Sequence, residues 1–215
     1  MSMRAAIFDL DGVIVNTVPF HFKAWQKMFA EYGKDFSFED YKEKVDGIPR
    51  NDGARAILTD LDDGELKKAA DKKQVYFLEY LNSEEIPVYK TTVDLVKAMK
   101  KENIKRGVIS SSKNCLPILK KVNLAGLFDE ILTGNDVTKG KPDPQVFLMS
   151  AERMAIEPSR CVVFEDAVLG VEAAKRAGMK CVGIDRYGKP ERLKKADLVV
   201  GDLGEVDLER IRKLF

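Results

Sequence analysis

Two aspartates separated by one residue, Asp9 and Asp11, stand at the end of an apolar run that is closed by Gly12. Residues two apart along a strand point to the same side, so a strand here would bring both carboxylates together. Like charges held this close are unfavourable without a cation or a proton between them, which indicates a metal or acid–base site. The alternative is a surface turn whose aspartates bond their own backbone. A turn, however, would not need its first carboxylate inside an apolar run.

A calcium loop of the EF-hand type is the obvious rival for an Asp-x-Asp-Gly motif. It would need Asp or Asn at the position of Ile7 and a bidentate glutamate at the position of Val18. Both requirements fail, and the sequence excludes this type of calcium site.

A second acidic pair, Glu165 and Asp166, follows the apolar run 161–164. Taken alone, Asp166 is better explained as the cap of the helical segment that follows. Parallel strands, however, deliver their carboxyl ends to one edge of a sheet, so Asp166 and Asp9 could share a cation there. Oxygen ligands without His or Cys nearby in sequence favour magnesium.

Two loops could bind an anion. Residues 110–114 read Ser-Ser-Ser-Lys-Asn between a predicted strand and a predicted helix, where hydroxyls and backbone N–H groups can hold a phosphate. An ordinary serine-rich loop is an equal alternative. Lys141 lies in a Gly-Lys-Pro-Asp-Pro turn and could neutralise a phosphate, although a lone loop lysine is usually only solvated. The glycine spacing before Lys141 does not fit a phosphate-binding Walker loop.

His21 is the only histidine, so a Ser-His-Asp or Cys-His enzyme would have to be built on it. No Gly-x-Ser-x-Gly elbow supports such an enzyme. The alternative is that His21 has no function and is an ordinary surface residue on the helix that follows the first strand.

Short apolar runs predict strands, and helical patterns predict helices, that would position these residues. The runs alternate with helices after residue 87, which predicts an α/β, Rossmann-like parallel sheet core with a small helical cap inserted after the first strand. We expect the core to comprise residues 1–15 and 86–215 and the cap residues 16–85. The predicted strands are 4–10, 106–110, 130–133, 161–165, 180–184 and 197–200. The predicted helices are 19–32, 65–81, 92–101, 115–122, 144–154 and 168–177.

The composition fits a compact two-part protein and limits its partners. The chain has 215 residues, of which 45% are apolar, and its net charge is +1. A balanced charge gives no general attraction to nucleic acid or to an anionic membrane. No apolar stretch approaches 18 residues, and the scattered Cys115, Cys161 and Cys181 form no CxxC pair. We therefore expect a cytoplasmic protein without nucleic-acid or membrane partners, and we expect a monomer.

As a set, Asp9 with Asp11, a residue of 110–112, Lys141, and Glu165 with Asp166 resemble the four motifs of the haloacid dehalogenase superfamily. Thr17 and the segments 21–25, 47–50 and 112–114 are similar to its β-phosphoglucomutase subfamily. Two positions depart from the subfamily. Gln74 follows Lys73 where the mutases have a Lys-Asn pair, and Tyr89-Lys90-Thr91 replaces a Tyr-Pro-Gly turn.

The resemblance implies a role for each motif. Asp9 is the nucleophile, Asp11 the acid and base, and Lys141 and Ser110 stabilise the transferring phosphoryl group. Mg²⁺ is the cofactor, with Asp9, Asp11, Glu165 and Asp166 as the metal site and Asp166 rather than Glu165 as the direct ligand. The implied substrate-binding residues are Thr17, His21, Trp25, Gly47, Arg50, Lys73, Ser111, Ser112, Lys113 and Asn114.

The resemblance further implies a small phosphorylated sugar as substrate and an aspartyl-phosphate intermediate. The expected reaction is the conversion of β-glucose 1-phosphate to glucose 6-phosphate. A sugar-phosphate phosphatase of the same subfamily is the alternative, and a non-catalytic binding protein on the same core is a third possibility that the intact motifs disfavour.

Overall fold

A computed structural model describes residues 2–215 and divides the chain into two units. The core unit comprises Met1–Val15 and Val88–Phe215, and the cap unit is Asn16–Pro87. The return to the core comes two residues after the predicted position, for a reason visible in the backbone. Asn16 N–H donates to the carbonyl of Pro87 at 2.8 Å, whereas Val15 forms an antiparallel bridge with Val88.

The core unit contains a six-stranded parallel sheet, which confirms the predicted fold class. The strand order is β3-β2-β1-β4-β5-β6, an arrangement that the sequence alone did not predict. The strands are β1 (Ala5–Asp9), β2 (Lys105–Ile109), β3 (Glu130–Leu132), β4 (Cys161–Glu165), β5 (Lys180–Ile184) and β6 (Leu198–Val200).

The helices in chain order are α1 (Val18–Glu31), α2 (Phe38–Asp40), α3 (Arg50–Ile57), α4 (Asp63–Ser83), α5 (Lys90–Lys101), α6 (Cys115–Lys121), α7 (Gln145–Arg153), α8 (Val168–Arg176) and α9 (Leu208–Arg212). The six predicted helices lie close to α1, α4, α5, α6, α7 and α8, whereas α2, α3 and α9 were not predicted as helices of their own. A π-helical turn, Tyr41–Val45, follows α2.

The two central strands carry continuous apolar sequences because both faces of the sheet are covered. All residues of β1 and β4 are buried. Phe8 stacks on Phe164 with ring centroids 4.6 Å apart, and the two residues are register partners. The next residues, Asp9 and Glu165, therefore end their strands side by side.

The cap unit is helical, and its core is an aromatic cluster. Trp25 on α1 stacks on Phe29 with centroids 5.1 Å apart, and Phe29 contacts Phe36. The long helix α4 begins two residues before the predicted start, because the side chain of Asp62 caps it by accepting a hydrogen bond from the N–H of Glu65 at 2.8 Å. Within residues 2–215, no helix combines the length and the apolar character needed to cross a membrane.

Candidate active site

Asp9 lies at the carboxyl end of β1, between the ends of β2 and β4, and its carboxylate is buried. Oδ1 accepts a hydrogen bond from Lys141 Nζ at 2.5 Å, and Oδ2 accepts one from the N–H of Asp11 at 2.9 Å. Burial raises the pKa of Asp9 well above its ordinary value, and Lys141 opposes that rise by favouring the ionised form. A cation beside Asp9 would favour the ionised form further.

Lys141 is the ammonium group of this site and is only 4% exposed. It forms ion pairs with Asp9 and with Glu165. Burial acts to lower the pKa of Lys141, but the two carboxylates offset it and hold this pKa above its ordinary value. Lys141 is therefore a fixed positive charge at the edge of the sheet rather than a solvated loop residue.

Glu165 uses both carboxylate oxygens within the protein. Oε1 contacts Lys141, and Oε2 accepts a hydrogen bond from the N–H of Ala167 at 2.9 Å. A Cβ atom added at Gly170 would overlap this carboxylate, so α8 approaches it closely. The geometry thus favours a role for Glu165 in holding Lys141 and favours Asp166 over Glu165 as a direct metal ligand.

Asp166 lies one residue before the N-terminal capping position of α8, which is Ala167 and makes no side-chain cap hydrogen bond. The Asp166 carboxylate occupies the place of a Cβ atom on Gly12, whose φ of +83° also favours glycine. The structure therefore brings the carboxylate of Asp166 against the loop that carries Asp9 and Asp11.

Ser110 joins the loop after β2 to the loop after β1. Its hydroxyl donates to Asp11 Oδ2 at 3.0 Å and accepts from the N–H of Ser112 at 3.0 Å. Ser110 is buried, whereas Asp11 is partly exposed. A partly exposed carboxylate two residues beyond the strand end can exchange a proton with a bound ligand.

The rest of the serine-rich loop is organised by its own side chains. The N–H and side-chain amide of Asn114 both donate to Ser112 Oγ, each at 3.1 Å. The carbonyl of Ser111 packs so closely on Gly134 that a Cβ atom there would clash. Lys113 is exposed. The loop thus has a fixed backbone before α6, as an anion-binding role requires.

The oxygen atoms at the edge of the sheet are of the type that magnesium prefers. The candidate donors are the carboxylates of Asp9 and Asp166 and the main-chain carbonyl of Asp11, all hard oxygen ligands. Within residues 2–215, no group of three or more His, Cys, Asp or Glu side chains is arranged to hold a metal. Magnesium does not require one, because it commonly keeps several waters and binds one or two carboxylates together with substrate phosphate.

Three predicted substrate-binding residues meet within the cap unit. His21 Nδ1 lies 2.8 Å from Lys73 Nζ, which joins α1 to α4. The imidazole stacks on Phe77 with centroids 4.1 Å apart. Lys73 also lies 5.1 Å from the ring centroid of Trp25 and 4.9 Å from that of Phe77. The buried Lys73 ammonium is therefore surrounded by aromatic faces and an imidazole.

Arg50 begins α3, and its guanidinium lies 3.1 Å from Asp71 on α4. Burial lowers the pKa of Arg50 from its ordinary value, and Asp71 opposes that change. Gly47, with φ of +77°, turns the chain before α3. Thr17 is buried at the N-terminal end of α1. Asp71 could not be predicted from the sequence, since an acidic residue on a charged helix is ordinarily solvated.

The chain is similar throughout its length to sugar-phosphate enzymes. A model of the haloacid dehalogenase-like hydrolases matches residues 6–184. The β-phosphoglucomutase of Bacillus subtilis is 34% identical, with 98% of this chain and 95% of that protein covered. The phosphorylated carbohydrates phosphatase of Thermotoga maritima is 33% identical, with 97% and 96% covered.

The fold similarity includes the cap. The crystal structure of β-phosphoglucomutase from Clostridium difficile superposes with a TM-score of 0.91 at 31% identity, and the match covers 99% of this chain and 96% of that one. A mutase and a phosphatase thus match at nearly equal identity, so identity favours neither activity.

Proposed function

The chain belongs to the haloacid dehalogenase-like hydrolases, a family of phosphotransferases and hydrolases, and from that premise we propose its reaction and substrate class. The proposed reaction is magnesium-dependent transfer of a phosphoryl group on a small sugar phosphate, through an aspartyl-phosphate on Asp9. The proposed substrate is β-glucose 1-phosphate, and the product is glucose 6-phosphate.

The observation that carries this proposal is the environment of Asp9. Its carboxylate is held at a strand end by Lys141 and by the N–H of Asp11. A carboxylate fixed by a buried cation is oriented for attack on an electrophile, and the same cation neutralises an incoming phosphoryl group. The partly exposed Asp11 follows two residues later and accepts a hydrogen bond from the hydroxyl of Ser110.

In the first half-reaction, a carboxylate oxygen of Asp9 forms a bond to phosphorus as the bond from phosphorus to the leaving oxygen breaks. Asp11 protonates the leaving oxygen. In the second half-reaction, Asp11 takes a proton from the acceptor hydroxyl, which attacks the phosphorus and restores the Asp9 carboxylate. Lys141 and Ser110 supply positive charge and a hydrogen-bond donor for the oxygens of the transferring group.

Asp9, Asp166 and the main-chain carbonyl of Asp11 would hold the magnesium ion. When bound, the ion neutralises charge on the transferring phosphoryl group and on Asp9. Glu165 keeps Lys141 in place through its ion pair.

The cap residues are proposed to recognise the part of the substrate that does not react. Arg50 is proposed to bind a phosphate distant from the reacting phosphoryl group, because the paired N–H donors of a guanidinium match the geometry of phosphate oxygens. His21, Trp25 and Lys73 are assigned contacts with the sugar, as are Thr17 and the turn at Gly47. In the core, the loop of Ser111, Ser112, Lys113 and Asn114 is assigned phosphate contacts.

A sugar-phosphate phosphatase is the second candidate. One observation favours it: Gln74 and Tyr89-Lys90-Thr91 stand where the mutase subfamily has other residues. A phosphatase relative also matches the chain at nearly the same identity as a mutase. In a phosphatase, water would take the place of the acceptor hydroxyl in the second half-reaction.

A product assay separates the two candidates. The protein is given β-glucose 1-phosphate, magnesium and a trace of glucose 1,6-bisphosphate. Glucose 6-phosphate is followed with a coupled dehydrogenase, and free phosphate with malachite green. We predict that glucose 6-phosphate forms faster than phosphate is released. Free phosphate as the dominant product, without glucose 6-phosphate, would overturn the mutase and leave the phosphatase.

A further inference from the structure

Arg186 lies two residues beyond the end of β5, and its side chain is 11% exposed. Nε donates to the carbonyl of Gly12 at 3.1 Å. Nη1 lies 2.9 Å from Asp202 Oδ2 and 3.3 Å from the carbonyl of Gly201. The guanidinium carbon stands 3.7 Å from the ring centroid of Tyr89. One side chain thus contacts three separate segments of the core unit.

Gly12 is the residue on which the two acidic motifs of the site converge. It follows Asp11 directly, and the carboxylate of Asp166 lies against its Cα. Its N–H donates to the carbonyl of Val15 at 2.8 Å, which closes the loop that leaves β1. A displacement of Gly12 would therefore move Asp11 and alter the packing of Asp166 together.

Tyr89 lies where the chain has returned from the cap unit to the core unit. Its N–H donates to the carbonyl of Ile14 at 3.0 Å, one residue before the bridge between Val15 and Val88. The hydroxyl of Thr92 donates to the carbonyl of Val13 at 2.7 Å. The loop after β1 and the returning segment are thus bound together, and Arg186 contacts both.

The guanidinium of Arg186 contacts two neighbouring segments at once, because its flat face covers Tyr89 while its edge meets Gly12. Among residues 2–215, its Nη2 is buried and has no protein hydrogen-bond partner. The contacts of this side chain are thus made mainly with the segment that returns from the cap unit, with the loop that carries Asp11 and with Asp202.

We propose that Arg186 is a positioning residue for phosphoryl transfer, acting through the Gly12 carbonyl to fix the loop that carries Asp11. It does not contact the transferring group in this proposal. The inference rests on the proposed function because that function supplies the reaction, phosphoryl transfer. The restraint that Arg186 places on the loop is independent of the substrate.

The test compares Arg186→Lys with Asp202→Asn. Lysine keeps the positive charge for Asp202 but lacks the planar fork that meets Gly12 and covers Tyr89. Asparagine removes the ionic partner and keeps a side-chain oxygen for the N–H of Gly204, which Asp202 caps at 2.8 Å. The first variant thus changes the restraint on Gly12. The second changes the ion pair and the hydrogen bond between Asp202 and Thr91, and it leaves the bond from Arg186 Nε to Gly12 in place.

Two measurements are made on each full-length variant: hydrogen exchange of the amides in residues 10–15 and 88–92, and turnover of a phosphorylated sugar. For Arg186→Lys we expect faster exchange in both segments. We also expect kcat to fall roughly 10- to 100-fold, as when a residue that orients active-site ligands is lost, with KM near the wild-type value. Asp202→Asn should keep the wild-type exchange in residues 10–15 and the wild-type kcat.

The outcomes are distinguishable. Unchanged exchange in Arg186→Lys overturns the inference whatever the activity. Faster exchange with unchanged kcat also overturns it, since Arg186 would then be a structural contact only. Equal loss of kcat in Asp202→Asn would assign the effect to the ion pair and contradict the role of Gly12. A wild-type protein without turnover of any sugar phosphate contradicts the proposed function, which the exchange result does not measure.

Discussion

The two units each bury a lysine to the same extent but surround it differently. Lys141 in the core unit is 4% exposed and forms ion pairs with Asp9 and Glu165. Lys73 in the cap unit is also 4% exposed and lies between His21 Nδ1 and the rings of Trp25 and Phe77. One ammonium is held by two carboxylates, and the other by an imidazole and aromatic faces.

This difference separates the chemistry of the site from its selectivity. In the core unit, the register of the sheet sets the positions of the carboxylates at the strand ends and of the lysine that they bind. This fixed charged network suits the transfer of the phosphoryl group, which is the step that every phosphoryl-transfer reaction shares. An aromatic and imidazole surface on two helices depends on side-chain packing and suits the recognition of one ligand over another. We therefore expect core substitutions to abolish all activities and cap substitutions to discriminate between substrates.

The largest expected effect comes from Asp9→Asn. Asparagine keeps the size of the side chain but removes the charge that attacks phosphorus and contributes to the metal site. Turnover should fall by several orders of magnitude with every phosphodonor, since nucleophile and metal ligand are lost together. Steady-state assays with a sugar phosphate and with a small aryl phosphate would check this. Near-normal turnover with either donor would contradict the role of Asp9.

Asp166→Ala should weaken magnesium binding without the stability loss of a removed helix cap. Loss of a direct ligand should raise the magnesium concentration needed for half-maximal activity about 100-fold, the upper end for residues that support metal sites. The measurement is a magnesium titration of activity together with a thermal melt.

Asp62→Ala is the matched control, because Asp62 does cap a helix. It should cost about 1 kcal/mol of stability and leave the magnesium titration unchanged. If Asp166→Ala shifts only the melt, as the control should, then Asp166 is not a metal ligand.

A smaller and selective effect is expected from Arg50→Ala. Loss of a charged hydrogen bond to a distal phosphate costs about 1.5–3 kcal/mol, which corresponds to roughly a 10- to 100-fold loss in isomerisation. Slow hydrolysis of a small phosphodonor should stay near the wild-type rate, because that donor has no distal phosphate. Both rates are measured on the same preparation.

Arg55→Ala on the same helix is the control, since Arg55 pairs with Asp63 at the surface. It should change neither rate. Equal losses of isomerisation and small-donor hydrolysis in Arg50→Ala would contradict a role for Arg50 in selectivity and with it the comparison between core and cap.

The core was predictable because parallel strands leave a strong signal. A strand buried on both faces is a continuous apolar run, so β1 and β4 were visible, and polar residues at their ends stood out. From strand ends alone, Asp9 and the pair Glu165 and Asp166 could be placed at one edge of a sheet. Lys141 was placed there only through the family resemblance, and the structure brings it into contact with Asp9 and Glu165. Sheet order was not predictable, because apolar runs do not encode which strands are neighbours.

The cap and the loops were less predictable for a physical reason. The region 38–62 is charged and helical in pattern, but its helices α2 and α3 and the π-helical turn are separated by short turns that periodicity does not resolve. Arg186 also gave no signal. Its contacts with Gly12 and Tyr89 come from segments 174 residues and 97 residues away in sequence, and a lone loop arginine is ordinarily solvated.

The central claim is that Asp9 carries the phosphoryl group, and covalent labelling tests it most directly. The wild-type protein is mixed with magnesium and a sugar phosphate whose phosphoryl group is radiolabelled, quenched in acid within one turnover, and digested for peptide mapping. The account predicts label on the peptide that contains Asp9, released by hydroxylamine as an acyl phosphate should be, and absent from Asp9→Asn. Turnover of the labelled donor by the wild type with no label on that peptide, or with label on another residue, would contradict the account.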